Sequence, residues 1–164
     1  MTNLPAKLKI FNILSDSDFN DAAIEVFKFQ YANNGVYHEF VNLLGVETHK
    51  ISSYQNIPFL PIEFYKTQSV ASVRDKPEHI FLSSGTTTGN RSRHLIFSIS
   101  LYQQTILKCF NHFYGSPENY IIAALCPDYI SLPESSLSFM LDFLIKQTKT
   151  SESGFYLNNI PSLV

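Results

Sequence analysis

Residues 120–126 form an uninterrupted apolar run, YIIAALC, whose length and paired isoleucines favour a β-strand covered on both faces. A strand of this kind needs a layer of other elements on each side. We therefore expect it to be the central strand of a layered α/β unit. Short runs at 80–82, 94–97 and 155–157 predict three further strands, with a loop between the first two.

Helical patterns alternate with these strands. Ser98 and Ser100 are candidate N-caps for a helix that turns apolar residues inward and ends at Gly115, and residues 135–146 predict another helix. The inward positions of the first of these helices are Tyr102, Ile106, Phe110 and Phe113. This alternation indicates an α/β unit over residues 76–164.

Residues 1–75 have a different character. Apolar residues recur at three- and four-residue spacing after the polar stretch 15–18, which predicts a first helix that Asn33, Asn34 and Gly35 end. A second helix follows over 36–44 and stops at Gly45. Prolines in the segment 57–70 favour an extended connector. We therefore predict a helical prefix and connector at 1–75 and an α/β unit at 76–164, within one compact body.

Composition excludes several classes of partner. The chain has 164 residues, with 12 basic against 14 acidic side chains and a net charge of -2, which gives no excess of positive charge for a nucleic-acid backbone. No segment approaches the ~20 apolar residues that span a bilayer. Cys109 and Cys126 lie in apolar contexts typical of reduced core thiols. We expect a soluble, cytoplasmic protein without a membrane span.

The segment 81–94, FLSSGTTTGNRSRH, is the candidate phosphate-binding loop. Its hydroxyls and its two glycines leave many donors free to converge on an anion, and two arginines follow directly. The candidate contacts are Ser83, Ser84, Gly85, Thr86, Thr87, Thr88, Gly89, Arg91 and Arg93. No lysine follows Gly89, so the loop is not a Walker A motif, and the apolar run after it favours a hairpin. A polar surface turn remains the alternative.

Other candidates are weaker. The five histidines form no HxxxH pair and there is no CxxC, so we expect no metal site built from them. His94 follows the loop, and Asp128 follows the predicted central strand at its carboxyl end. Cys126 is interpreted as a core residue rather than an acyl acceptor. No GxSxG motif is present, and no catalytic residue is assigned.

The run Ser83-Ser84-Gly85-Thr86-Thr87-x-Gly89 resembles the phosphate-binding signature of the adenylate-forming superfamily, [ST]-S-G-T-T-G-x-P-K. Three more stretches, 57–70 (IPFLPIEFYKTQSV), 135–146 (SSLSFMLDFLIK) and 153–157 (SGFYL), are similar in content and order to the acyl-protein synthetase family. That family joins long-chain fatty acids to a protein component of the bacterial fatty-acid reductase system. The resemblance extends from about Phe27 to Leu157.

The resemblance implies part of the large N-terminal α/β domain of an ATP-dependent ligase. Such an enzyme uses ATP and Mg²⁺ to form an acyl-adenylate from a fatty or other carboxylic acid, and then passes the acyl group to a thiol or a partner protein. The loop would hold the β- and γ-phosphates. Thr88 is an extra residue and the Pro-Lys of the signature is absent, which leaves open whether Arg91 or Arg93 replaces the lysine.

The resemblance also implies that the family's adenine, ribose and magnesium motifs would fall after Val164. We therefore expect the isolated chain to be incomplete and inactive as a ligase, and to self-associate through apolar surface. Two alternatives stay open. One is a non-catalytic module that binds an acyl group, a nucleotide or a partner protein, and the other is an acyltransferase-like protein with the same fold.

Overall fold

A computed structural model describes residues 10–73, 75–84 and 91–163, without the side chains of residues 162 and 163. The chain divides into two compact units, 1–76 and 77–164. Each unit has a hydrophobic core of its own. Within the described ranges, none of the helices has the length and apolar character that crossing a membrane requires.

The first unit begins with a helical hairpin of α1 (Asp16–Asn33) and α2 (Gly35–Leu43). Ser15 caps α1 by accepting the Asp18 N–H at 3.1 Å, and Asn34 caps α2 by accepting the Tyr37 N–H at 3.2 Å. Gly45, just past α2, has a φ of 66°, a left-handed conformation that favours glycine. The two predicted helices and the stop at Gly45 are confirmed.

Aromatic and aliphatic side chains of α1, α2 and the following segment form the core of this unit, namely Phe27, Tyr37, Val41 and Ile51. Two short 3₁₀ helices, Thr48–Lys50 and Tyr54–Asn56, lead to the one-turn helix α3 (Phe64–Thr67). The Tyr37 hydroxyl donates to the Pro58 carbonyl at 2.6 Å, which ties the proline-containing segment to α2. Regular helix in this segment begins only after Pro61 and lasts one turn.

The second unit combines four short strands with two longer helices. Strands β1 (His79–Leu82) and β2 (Arg93–Ile96) pair antiparallel, as predicted for the strands beside the loop. Strands β3 (Ala123–Ala124) and β4 (Gly154–Phe155) form a separate parallel pair. The helices are α4 (Ile99–Tyr114), which Ser98 caps and Gly115 ends, and α5 (Ser136–Ile145). The unit is therefore α/β in the broad sense.

The core of the second unit lies against the β1–β2 hairpin. Its buried members come from the hairpin, α4 and α5 and are Phe81, Ile96, Ile106, Phe139 and Leu144. The Phe81 and Phe139 rings lie 5.4 Å apart, and the Tyr102 ring lies 5.4 Å from that of Phe81. Aromatic packing against two helices thus fixes the hairpin that carries the loop.

The prediction of a covered central strand over residues 120–126 is wrong. Regular strand is confined to Ala123–Ala124, and Ile121 and Leu125 are each 60% exposed. Among the described residues β3 pairs with β4 alone, so no third strand or second layer covers the face that Ile121, Ala123 and Leu125 share. The residues are apolar enough for a buried strand, but the covering layer is missing there.

Two further burial predictions are wrong. Cys109 is exposed, and Phe113, expected to point inward from α4, is 71% exposed. The only buried residue of α4 is Ile106, in the middle of the helix. Phe113 lies in the last turn, and Cys109 lies beside the buried stripe. Helical spacing places residues on one face, but burial also needs a neighbour at that height along the helix.

We expect the bare face of β3, defined by Ile121, Ala123 and Leu125, to cause self-association. Apolar parallel strands are normally covered on both faces, and a second copy can supply that cover. Substituting both large residues (Ile121→Lys and Leu125→Lys) should raise the dimer dissociation constant at least about tenfold, because burying unpaired ammonium groups is costly. Analytical ultracentrifugation over a concentration series measures this constant.

The matched control is Leu43→Lys with Ile62→Lys, because these two residues are exposed and belong to the other unit. This pair adds the same charge and should leave self-association unchanged. A wild-type chain that stays monomeric at every concentration would contradict the prediction. So would an equal effect of the two double variants.

Candidate functional site

The candidate site is the loop that joins β1 to β2, and the structure describes its neck. Leu82 and Arg93 are register partners at the ends of the two strands, so the loop starts at residue 83 and ends at residue 92. Five of the predicted contact residues lie outside the described residues: Gly85, Thr86, Thr87, Thr88 and Gly89. The geometry of the neck is given by the described loop residues Ser83, Ser84, Arg91 and Ser92.

Two hydrogen bonds extend the strand ladder into the loop. The Ser83 N–H donates to the Ser92 carbonyl at 3.0 Å, and the Ser92 N–H donates to Ser83 Oγ at 2.9 Å. The Ser83 hydroxyl thus helps to close the neck as an acceptor and keeps its own proton for a further bond. The next hydroxyl, of Ser84, is exposed and makes no hydrogen bond with the described residues. Both ends of the loop are therefore held together at Ser83 and Ser92.

Arg91 clamps the neck from a second side. Its Nε donates to the Ser83 carbonyl at 2.6 Å, and its Nη1 lies 3.2 Å from Glu134 Oε1. Glu134 is itself held beside β1, because its carbonyl accepts the Leu82 N–H at 2.9 Å. The guanidinium therefore joins the loop to the segment before α5, and three of its N–H donors remain for other partners.

Electrostatics at the neck favour the ionised form of Glu134. Hydrogen bonds from its own backbone N–H and from Arg91 lower the pKa of the carboxyl below its usual 4.5. A carboxyl whose pKa is lower in the folded state than in the unfolded state stabilises the fold at pH values above the unfolded pKa. This contribution is lost as the pH falls through the folded pKa.

Glu134→Gln is expected to reduce the melting temperature at neutral pH and to reduce it less as the pH drops below 4.5. The glutamine keeps the shape of the side chain but cannot form the ion pair with Arg91. Thermal unfolding between about pH 6 and pH 3, followed by circular dichroism, measures the difference in melting temperature between the wild type and Glu134→Gln.

The control for this difference in melting temperature is Glu152→Gln. Glu152 is an exposed residue of the same unit, and its carboxylate makes no ion pair or hydrogen bond with the described residues. This control should follow the wild-type protein across the pH range. A difference in melting temperature between the wild type and Glu134→Gln that stays constant with pH would contradict the expected role of the carboxylate.

Arg93 is placed differently from Arg91. It is exposed, and within the parts of the chain that the structure describes it has no ion-pair or hydrogen-bond partner. His94 is paired with Phe81 in the strand register, and its ring lies 6.2 Å from that of Tyr102. Although His94 is largely exposed, partial desolvation lowers the pKa of its imidazole below the usual 6.5. Arg93 is therefore the available positive charge at this end of the loop.

The other sequence candidates have structural roles or no partner at the loop. Asp128 Oδ1 accepts the Ser131 N–H at 2.7 Å, which closes a turn, and this bond is the main cause of its lowered pKa. Cys126 is half-buried. Among the described residues no three acidic, histidine or cysteine side chains cluster as metal ligands. Since Glu134 is paired with Arg91, the described neck does not fit a protein-held magnesium ion.

Glu134 is the site residue that sequence reasoning missed. It pairs with Arg91, an arginine 43 residues away in sequence. No local pattern reports a contact of that range. Residues 133 and 134 lie in a turn, in which the Ser135 N–H donates to the Leu132 carbonyl at 3.0 Å.

Comparison with known proteins adds no family assignment. A scan against protein-family models, a search of curated proteins and a search of solved structures each found no match.

Proposed function

We propose that this chain binds MgATP through the loop 83–92 as part of an ATP-dependent, carboxylate-activating ligase. The ligase forms an acyl-adenylate from a fatty or other carboxylic acid and passes the acyl group to a thiol. The observation that carries the proposal is the closed neck of the loop. Ser83, Ser92 and Arg91 hold together the two ends of a segment whose tip is rich in hydroxyls and glycine.

A closed neck supports phosphate binding for a physical reason. Donors aimed at an anion stabilise it most when their positions are set before it arrives, because no ordering cost remains to be paid on binding. The neck is braced by the strand pair, by Glu134 and by the aromatic core under Phe81. A mobile surface turn of the same composition needs none of these braces.

In the proposed reaction the loop positions the phosphates and Arg93 supplies positive charge, and no loop residue forms a covalent bond. A carboxylate oxygen attacks the α-phosphorus, the new P–O bond forms, and the bond to the bridging oxygen of pyrophosphate breaks. The loop holds the β- and γ-phosphates, which leave together as pyrophosphate. Arg93 supplies a positive charge near the base of the loop, and Mg²⁺ enters with the nucleotide.

The test is a series of titrations that varies the number of phosphates. MgATP and magnesium pyrophosphate should bind to the chain in calorimetry, and AMP should bind at least about tenfold more weakly, because it lacks the phosphates that the loop holds. Equal affinities for AMP and ATP would overturn the assignment of the loop. Failure of both pyrophosphate and ATP to bind would overturn it as well.

Isotope exchange then separates a ligase from a non-catalytic nucleotide-binding module. In a ligase, labelled pyrophosphate enters ATP only when a carboxylic acid is present, because the exchange requires reversal of adenylate formation. A module binds MgATP without this exchange. Exchange that depends on a fatty acid supports the ligase and contradicts the module. MgATP binding without exchange is the result expected both of the module and of the incomplete ligase part that the resemblance implies.

A further inference from the structure

The first unit contains a cavity of about 440 Å³ that the phosphate loop does not explain. It lies between α1 and the segment 54–70, and its walls include Ala22, Ala23 and Val26 from the helix. Across from them stand Ile57 and Leu60. The volume falls within the ~300–1,000 Å³ that small-molecule sites occupy. All the lining residues belong to this one unit.

The chemistry of the walls selects an uncharged, apolar ligand. Of the described residues that line the cavity, none is an aspartate, glutamate, lysine, arginine or histidine. An ionic group would lose its hydration there without gaining a charged partner. Large apolar side chains belong to the lining, and among them Phe59 is 79% exposed. An apolar ligand that entered would remove this surface from water.

Asn34 is the buried polar side chain among the described lining residues whose amide nitrogen has no hydrogen-bond partner. Asn34 is only 6% exposed and lines the cavity, and its Oδ1 is engaged by the Tyr37 N–H at the start of α2. Its Nδ2 makes no hydrogen bond with the described residues. Every described side-chain nitrogen or oxygen that is sealed from solvent has a hydrogen-bond partner, so Nδ2 is not one of the sealed atoms. Nδ2 therefore keeps access to open space, and it offers a donor to a ligand oxygen.

We propose that this cavity is a binding site for a hydrocarbon chain that ends in an uncharged oxygen, such as that of an alcohol, aldehyde or ester. The hydrocarbon lies against the alanines and Val26 of α1, and the oxygen accepts a hydrogen bond from Asn34 Nδ2. The site belongs to the first unit and requires neither ATP nor the loop. Its occupancy is therefore independent of the ligase proposal.

Binding of an uncharged fluorescent dye, phenylnaphthylamine, to the full chain without nucleotide tests the site. Decanol should displace the dye, and decanoate should do so at least about tenfold more weakly, because its carboxylate has no charged partner in the walls. Ala23→Phe fills part of the cavity and should weaken dye binding at least about tenfold. Asp21→Phe is the matched control, since Asp21 is an exposed residue of α1 that does not line the cavity.

Circular dichroism first establishes that both phenylalanine variants are folded. Loss of dye binding in Ala23→Phe but not in Asp21→Phe supports the site. No dye binding to the wild-type chain, or equal binding to Ala23→Phe and the wild type, overturns it, and the second result would place the dye on another apolar surface. Asn34→Asp keeps the cap of α2 but removes the donor, so unchanged decanol affinity in this variant overturns the role of Nδ2.

Discussion

Phe81→Ala is expected to destabilise the second unit by about 3–5 kcal/mol, the usual cost of removing a buried phenylalanine ring. Phe81 is 3% exposed, and its ring lies within 5.4 Å of those of His79, Tyr102 and Phe139. Truncation removes one partner from each of these contacts and leaves a cavity between the hairpin and α5. Urea unfolding followed by circular dichroism measures the loss.

This substitution also tests the link between the core and the loop. Phe81 lies two residues before Ser83, where the neck closes, so loss of the hairpin should abolish MgATP binding together with stability. Phe113→Ala is the matched control, because that ring is 71% exposed and its removal should cost less than about 0.5 kcal/mol. A loss below about 1 kcal/mol for Phe81→Ala would contradict the described core.

Arg93→Gln is expected to weaken MgATP binding by about 10- to 100-fold, since a charge-assisted hydrogen bond is worth about 1.5–3 kcal/mol. Arg93 follows the loop and is exposed, and its guanidinium has no partner among the described side chains. Its removal should therefore leave the urea midpoint unchanged. Calorimetric titration of MgATP into the variant measures the affinity, and the loss should shrink at high salt.

Lys108→Gln is the control for charge, because Lys108 is an exposed residue of α4 without an ion pair among the described residues. It removes the same unit of charge away from the loop and should change the affinity less than about twofold. Equal effects of the two substitutions would show that net charge, not position, is responsible. An unchanged affinity in Arg93→Gln would contradict its assignment to the phosphates.

Elements whose stabilising contacts are local could be predicted from the sequence. Ser15 and Ser98 cap the helices that follow them, and Gly45 and Gly115 have positive φ values just past helix ends. Each of these signals acts within one turn of the residue that carries it. The β1–β2 hairpin was predictable for the same reason, because both strands adjoin one loop rich in glycine and threonine.

Features that depend on distant neighbours could not be predicted. The run 120–126 has the composition of a buried strand, but burial requires a second layer, and no stretch of sequence reports whether that layer is present. Phe139 belongs to the core of the second unit through ring contacts with Phe81 of the hairpin and Tyr102 of α4, which are distant in sequence. Tertiary packing decided both cases.

The candidate site was predictable in part. Composition indicated a loop that offers donors to an anion, and the hairpin around it is confirmed. The phosphate contacts of residues 83–89 stay a prediction. The sequence did not distinguish the two arginines. In the structure Arg91 binds the neck of the loop and Glu134, whereas the Arg93 guanidinium has no partner in the described part of the chain. That difference arises from Glu134, which lies far away in sequence.

The most direct test of the proposed phosphate loop is a calorimetric titration of MgATP into the wild-type chain and into Thr86→Ala with Thr87→Ala. Loss of two hydroxyl donors should weaken binding at least about tenfold, while the urea midpoint stays that of the wild type. Binding by the wild type that the double variant loses is the result that we predict. Equal binding by both proteins, or no binding by a folded wild-type chain, would contradict the proposal.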